Sequence, residues 1–309
     1  MSAFLLTWLA STPAYATPLL LAALGLILCE RAGVMNLAAE GIMAVAAMTG
    51  AVTVLKLGSP SLGLAAGAVA GALISIPFAL AVVVFRAEQV LAGLALVALG
   101  AGATAVLGRP YVHQPFPGFD IEPFAVLGDV PLLGPLLFRQ DAMVFLAILI
   151  AVLLVYLFRG TAVGRRIRAV GEDPATADVA GVDVQATQIL AVLAGGLLVG
   201  LGGAYLSVVS SRVWVDGMIA GRGWIAVALV VFARWNPLRA ILGAFVFGAA
   251  DALLPRLLAI GADVPIYILS TLPYALTIVV LIIASVVGRG RHDQPAALGQ
   301  AYIRQDRRL

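Results

Sequence analysis

Apolar residues run in long, nearly charge-free stretches at about 14–29, 37–57, 61–85, 89–108, 142–158, 186–210, 217–233, 237–256 and 264–287, separated by polar connections. Crossing the ~30 Å hydrocarbon layer of a bilayer takes about 20 residues of α-helix. The pattern therefore predicts nine spans. Residues 3–10 form one more apolar stretch, too short to cross alone and cut off by Pro13, which reads as a peripheral helix or a tenth span. The expected count is nine, within a range of eight to ten. Backbone groups in lipid need partners inside their own segment, and the runs show no dyad alternation, so helices rather than a barrel follow. The predicted fold is an all-α polytopic membrane protein with 1–309 as one integral membrane domain.

Composition sharpens this picture. Hydrophobic side chains make up 62% of the 309 residues and charged ones 11%, with a mean hydropathy of +1.07, against about 25% charged in soluble domains. A water-soluble globular chain, a disordered chain and a coiled coil are all excluded. The 19 Lys and Arg against 16 Asp and Glu lie almost wholly between the apolar runs, whereas a phosphate-binding stripe would cluster on one face, so no nucleic-acid partner is expected. Cys29 is the only cysteine and forms no internal disulfide; His113 and His292 make no metal cluster. No Lys or Arg precedes Arg31, so the charged n-region of a cleaved signal peptide is missing.

Short cytoplasmic loops retain positive charge. One set of alternate connections holds Arg31, Arg86, Arg159, Arg165, Arg166, Arg168, Arg234, Arg239, Arg289, Arg291, Arg304, Arg307 and Arg308; the other holds Lys56, Arg109, Arg139, Arg212, Arg222 and Arg256. The first, richer set is expected to face the cytoplasm, which places the loop 159–185 and the tail 289–309 inside and the Pro-rich connection 109–141 outside. Nine spans put the amino terminus outside, and a tenth would put it inside. Small residues at four-residue spacing, Gly63, Gly67 and Gly71 and again Gly196 and Gly200, let helix backbones approach closely.

Three stretches carry candidate chemistry. Glu30 to Gly41 sets two carboxylates, Arg31 and Asn36 into apolar sequence; at helical spacing Asn36 and Glu40 share a face, with Asn36 as a cap and Glu40 directed to a cavity or another helix. A short cytoplasmic turn with an ordinary cap is the competing reading. A second interruption comes where Gly217, Gly221 and Gly223 surround Arg222, leaving only Trp224 to Ala233 before Arg234-Trp235-Asn236-Pro237. Broken spans in two halves of a chain mark substrate pathways in transporters, although a short tilted helix anchored by an interfacial tryptophan fits the same residues. The third is the loop RGTAVGRRIRAVGEDPATADVAGVDVQ at 159–185, in which Asp173 is placed as an N-cap, Pro174 in the first turn and Gly181 as the stop. A two-turn helix is too short to stand alone, so it is expected to dock on something. A phosphate-binding loop is absent, since the lone lysine, Lys56, follows Leu55, and neither a Gly-x-Ser-x-Gly elbow nor a His-Glu-x-x-His helix occurs. No enzyme activity is expected.

ERAGVMNLAAEG at 30–41, FRAEQVLAG at 85–93, RIRAVGEDPATADVAGVDV at 166–184 and GRGWIAVALVVFARWNPLRA at 221–240 together resemble the permeases of ABC importers of the branched-chain amino acid and ribose type, and within them the nucleoside-uptake branch. The likeness spans nearly the whole chain. It implies that Asp173 to Gly181 is a coupling helix, with Glu172, Asp173, Pro174, Ala175, Ala177, Asp178 and Gly181 contacting an ABC ATPase subunit that binds the ATP and magnesium; no cofactor is implied on this chain. It further implies a second, homologous permease subunit, an extracytoplasmic substrate-binding lipoprotein and a place in the bacterial cytoplasmic (inner) membrane with the carboxy terminus inside. Relatives in that branch often carry lysine and histidine where this chain has Arg234 and Asn236, and serine in place of Ala32. Nucleosides, related sugars, nucleobases and branched-chain amino acids therefore stay open as cargo.

For a substrate pathway the residues selected are Asn36, Glu40, Gln89 and Trp224, each polar or amphipathic and within or beside an interrupted span. The rival from another class is an ion-coupled secondary transporter, in which Glu40 and Asp251 would couple a gradient without an ATPase.

Overall fold

The computed structural model describes residues 2–118, 134, 138–261, 271–287 and 293–303. Most of the connection 109–141, the first part of the ninth apolar run, and Arg289, Arg291, Arg304, Arg307 and Arg308 lie outside these residues. Among the described residues the chain is helical, with one isolated bridge between Val112 and Trp214. The helices are α1 (Ser2–Arg31), α2 (Ala39–Leu57), α3 (Pro60–Ala79), α4 (Gln89–Leu107), α5 (Ala142–Gly160), α6 (Ala162–Glu172), α7 (Pro174–Val179), α8 (Val184–Tyr205), α9 (Arg222–Ala233), α10 (Pro237–Ala259) and α11 (Leu272–Val287). A π-helical turn extends α3 through Leu80–Val84, and another extends α8 through Leu206–Ser211.

Helix starts follow local chemistry. Glu88, Asp141, Thr161, Asp173, Asp183 and Asn236 each accept a backbone N–H from the first turn they precede, and Pro60, Pro174 and Pro237 occupy first-turn positions where a missing donor costs nothing. Seven helices among the described residues are long and apolar enough to cross a bilayer: α1 to α5 without interruption, then α8 and α10.

Two expectations about the spans are corrected. Residues 3–10 are neither a peripheral helix nor a separate tenth span, because α1 continues through Pro13 and Pro18. Near the prolines, hydroxyls add bonds to the helix backbone: Ser11 and Thr12 both donate to the Trp8 carbonyl, and Thr17 donates to that of Pro13. The run 217–233 is not a full span either. Its helix, α9, has 12 residues, or about 18 Å at 1.5 Å per residue, roughly half the hydrocarbon thickness.

Helix α1 is the most completely enclosed of the long helices and packs on α8, α10, α9 and α5. Around it, α3 lies against α8 and α2, and α4 lies against α2. The small-residue rows meet as expected: a Cβ on Gly200 would stand 2.8 Å from the Gly67 carbonyl oxygen and from the Gly71 Cα, and one on Gly100 would stand 2.7 Å from the Gly41 oxygen. Backbones this close exclude side chains larger than hydrogen.

Among the described residues, the two arginine sets separate to opposite ends, Arg222 excepted. At one end Arg31 Nε donates to the Trp235 carbonyl, Gly171 abuts the Arg31 backbone, and Arg234 and Arg239 reach Asp293. At the other, Lys56 lies over the Tyr111 ring, Gln140 donates to the Ala10 carbonyl and Arg256 to Ser11. Arg222 departs from its set, because it sits at the inner end of α9 instead of in a surface connection.

Candidate functional site

The chain does not cross straight from α1 to α2. After Arg31 a non-helical segment turns on Gly33, whose φ of +85° suits a residue without Cβ, and leads back into the bundle before α2 begins at Ala39. Polar side chains hold this segment. Gln89 Oε1 accepts the Met35 N–H at 2.6 Å, Asn36 Oδ1 accepts the Ala38 N–H at 3.0 Å, and Gln188 donates to the Ala32 carbonyl at 3.2 Å. Asn36 is fully buried and Gln89 nearly so. Asn36 is thus not on a helix face shared with Glu40: the N-cap position of α2 is Ala38, which makes no side-chain cap, and the Asn36 amide is spent on closing the turn. Asn36 and Gln89 shape the segment; neither lines the cavities described below.

Glu40, in the first turn of α2, is where the two interruptions meet. Its Oε1 accepts the Gly221 N–H at 2.8 Å and its Oε2 accepts the Gly223 N–H at 2.7 Å. Ala220 and Gly221 both have positive φ, which turns these N–H groups toward the carboxylate. One negative charge therefore serves the positive ends of two helices that both start inside the bundle. The approach is close enough that a Cβ on Gly223 would lie 2.6 Å from the Glu40 Cα.

Beside this junction Arg222 donates to Asp251 of α10 through Nε (3.1 Å) and Nη2 (2.8 Å), and through Nη1 to the Met218 and Ile219 carbonyls. Charges of opposite sign at membrane depth are stabilised by such pairing. Tyr274 of α11 donates to the Ala220 carbonyl at 2.8 Å. Two cavities flank the start of α9. One, of about 290 Å³, is lined by Arg222, Ile225, Asp251, Leu254 and Tyr274; the other, of about 100 Å³, by Glu40, Thr104, Trp214, Asp216 and Met218. Ligand pockets for small molecules start near 300 Å³, so the second holds water-sized species only. Trp224 lines neither and is 38% exposed on the outside of α9.

The sequence reading singled out Glu40, Arg222 and Asp251 but not Asp216, Thr104 or Tyr274. A lone arginine and a lone aspartate in separate apolar runs are themselves a signal for pairing; Thr104 and Tyr274 carry none.

At the arginine-rich end, α7 has the caps its sequence predicts. Asp173 Oδ1 accepts the Ala175 and Thr176 N–H groups at 3.0 Å each, and Oδ2 accepts the Thr176 hydroxyl. The Thr176 hydrogen bonds hold the Asp173 carboxyl below its ordinary value. Gly181 has φ +83°. The docking is partly internal: Ala177 is buried with Val170 and Val184, and Asp178 Oδ2 accepts the Tyr302 hydroxyl at 2.9 Å. Glu172, Asp173, Ala175 and Gly181 are exposed, Pro174 is partly so, and the unanticipated Val179 is 78% exposed. Helix α6 was also unanticipated. Gly164, Ile167 and Val170 face inward at three-residue spacing while Arg165, Arg166 and Arg168 face out.

Comparison with known proteins fits this architecture. Residues 9–285 match the family described as branched-chain amino acid transport system, permease component. The chain is 40% identical over 314 positions to a putative glucose ABC transporter permease of Haloferax volcanii, covering 94% of this chain and 95% of that one. It is 36% identical over 311 positions to a guanosine ABC transporter permease of Bacillus subtilis, with 96% of each covered, and 33% identical over 310 positions to a nucleoside ABC transporter permease of Lactococcus lactis, with 94% of each covered. No solved structure matches the chain.

Proposed function

Because the chain belongs to the permease family of branched-chain amino acid transport systems, we propose that it works as the translocation subunit of an ATP-driven importer whose cargo is a nucleoside or a related small sugar or nucleobase. The observation that carries the reading is α7: a helix capped at both ends, presenting Ala175, Thr176 and Val179 outward beside the arginine-rich turns. An ABC ATPase subunit, which holds ATP and magnesium, grips this helix, and its closure moves the bundle; this chain itself catalyses nothing. A second permease and an extracytoplasmic binding lipoprotein complete the assembly. The arginine-rich end, with the carboxy terminus, faces the cytoplasm.

Rocking of packed helices switches access. The junction at Glu40 is the natural place for the switch, since α2 and α9 both start there and separate if the carboxylate releases Gly221 and Gly223. Arg222 and Asp251 neutralise each other on the wall of the larger cavity, which suits an uncharged polar cargo better than an amino acid zwitterion. Relatives named for guanosine and nucleosides support the nucleoside branch, and the glucose relative supports sugar.

Reconstitution with the ATPase, the second permease and the binding lipoprotein tests this. Uptake of labelled guanosine or ribose that requires ATP hydrolysis is expected. Uptake by this chain alone, driven by a proton or sodium gradient, would establish the rival ion-coupled mechanism instead.

A further inference from the structure

Residues 293–303 lie across the arginine-rich end of the bundle and bond to four separate parts of it. Asp293 sits 3.5 Å from Arg234 and 3.6 Å from Arg239, at the turn between α9 and α10. The Ala296 N–H points to the Glu172 carboxylate at 3.3 Å, and the Ala297 N–H donates to the Gly171 carbonyl at 2.9 Å, both at the end of α6. The Gly299 N–H donates to the Gly33 carbonyl at 3.1 Å, in the segment that leads into α2, and Tyr302 donates to Asp178 of α7. Ala297 is buried, and Tyr302 packs on the small cluster of Val170, Ala177 and Val184.

A loose tail would not be expected to find backbone partners on two different elements and side-chain partners on two more. Two of the elements it joins, the Gly33 segment and the α9–α10 turn, are the outer ends of the structures that meet at Glu40. The other two, α6 and α7, carry the exposed coupling face. Resting on the ABC permease reading, we propose that residues 293–303 are a transmission strut: they tie α7 to the Gly33 segment and to the Arg234 turn, so that a displacement of α7 by the ATPase subunit is delivered to the inner starts of α2 and α9. Tyr302 and Asp293 are positioning residues in this scheme and touch no cargo. Without the strut, α7 meets the bundle chiefly through α6 and α8, and part of its motion is lost in bending those joints. A contact chain alone does not establish coupling; an equilibrium that both ends bias does.

The test compares the reconstituted assembly carrying the full chain with assemblies carrying Tyr302→Phe and a chain lacking residues 293–309. The readout is cargo moved per ATP hydrolysed. A merely structural role lowers transport and hydrolysis in proportion and leaves this ratio alone. The strut predicts a ratio lower by at least roughly tenfold in Tyr302→Phe, in keeping with the loss of one hydrogen bond to a charged group, and a larger fall on truncation. If the full chain transports with ATP and Tyr302→Phe keeps its ratio, the strut is overturned while the permease reading stands. If the full assembly imports without consuming ATP, the permease reading falls and the strut with it.

Discussion

Glu40 and Gly223 are 183 positions apart in the chain, yet the carboxylate of one accepts the backbone N–H of the other at 2.7 Å. With the parallel bond to Gly221, this contact makes a single side chain the fastener between two half-buried helix starts. Glu40→Gln keeps one acceptor oxygen but turns an amide N–H₂ toward a backbone donor and removes the charge from two helix N-termini. Charged hydrogen bonds of this kind are worth about 1.5–3 kcal/mol. ATP-dependent uptake is expected to fall at least roughly tenfold in Glu40→Gln and further in Glu40→Ala, at equal membrane insertion. Uptake unchanged in both would remove Glu40 from the switch.

The ion pair of Arg222 and Asp251 lends itself to a double-mutant cycle. Each side chain is only 20% exposed, so Asp251→Ala strands a guanidinium among apolar neighbours at a cost of about 3 kcal/mol. Arg222→Met with Asp251→Leu removes both charges and should restore most of that loss. Thermal unfolding in nanodiscs reads the difference, and a double variant as unstable as the worse single one would show that the pair is not coupled.

Helix packing gives a sharp contrast between glycines. Gly200→Ala places a Cβ 2.8 Å from backbone atoms of α3, whereas Gly102→Ala meets nothing within 4 Å. Overpacking costs about 1–3 kcal/mol, while an alanine in an open helix position gains up to about 1 kcal/mol over glycine. Purified Gly200→Ala should unfold at a lower temperature than the parent and Gly102→Ala at the same or a higher one; the opposite order would contradict the α3–α8 contact.

The cap of α7 is expected to be sensitive to acid and to side-chain chemistry. Asp173 is held below its ordinary value of 3.8 by the Thr176 hydrogen bonds. A depressed carboxyl contributes its stabilisation above the unfolded value, and that contribution is lost as pH falls through the lower folded value. Between pH 5 and 8, on the order of the usual working range, α7 should be insensitive to pH. Asp173→Ala should accelerate amide exchange at Ala175 and Thr176 across that range, and Asp173→Ser should largely restore protection. Equal exchange in parent and Asp173→Ala would show the cap to be idle.

Long apolar runs make most of this architecture legible in the sequence, because a bilayer penalises exposed backbone and charge so strongly that helix and span are forced by composition. The caps of α7 were equally legible, since Asp173, Pro174 and Gly181 act locally. Three features were hidden for the opposite reason. Pro13 reads as a break, but α1, enclosed by other helices, continues through it. Asn36 reads as a cap, but its partner is decided by the fold of the 32–38 segment around Gln89. The meeting of Glu40 with Gly221 and Gly223 depends on tertiary placement, which no spacing within one helix encodes.

The enclosure of α1 bears on how the protein is made. In the chain α1 ends at Arg31, whereas α8 and α10, which cover much of it, begin only at Val184 and Pro237. Until those two are made, much of its surface lies against lipid or the insertion machinery. Its hydroxyls at Ser11, Thr12 and Thr17 each donate to a carbonyl of the same helix, which lowers the cost of waiting there, and later arrivals assemble around it as a mast already standing.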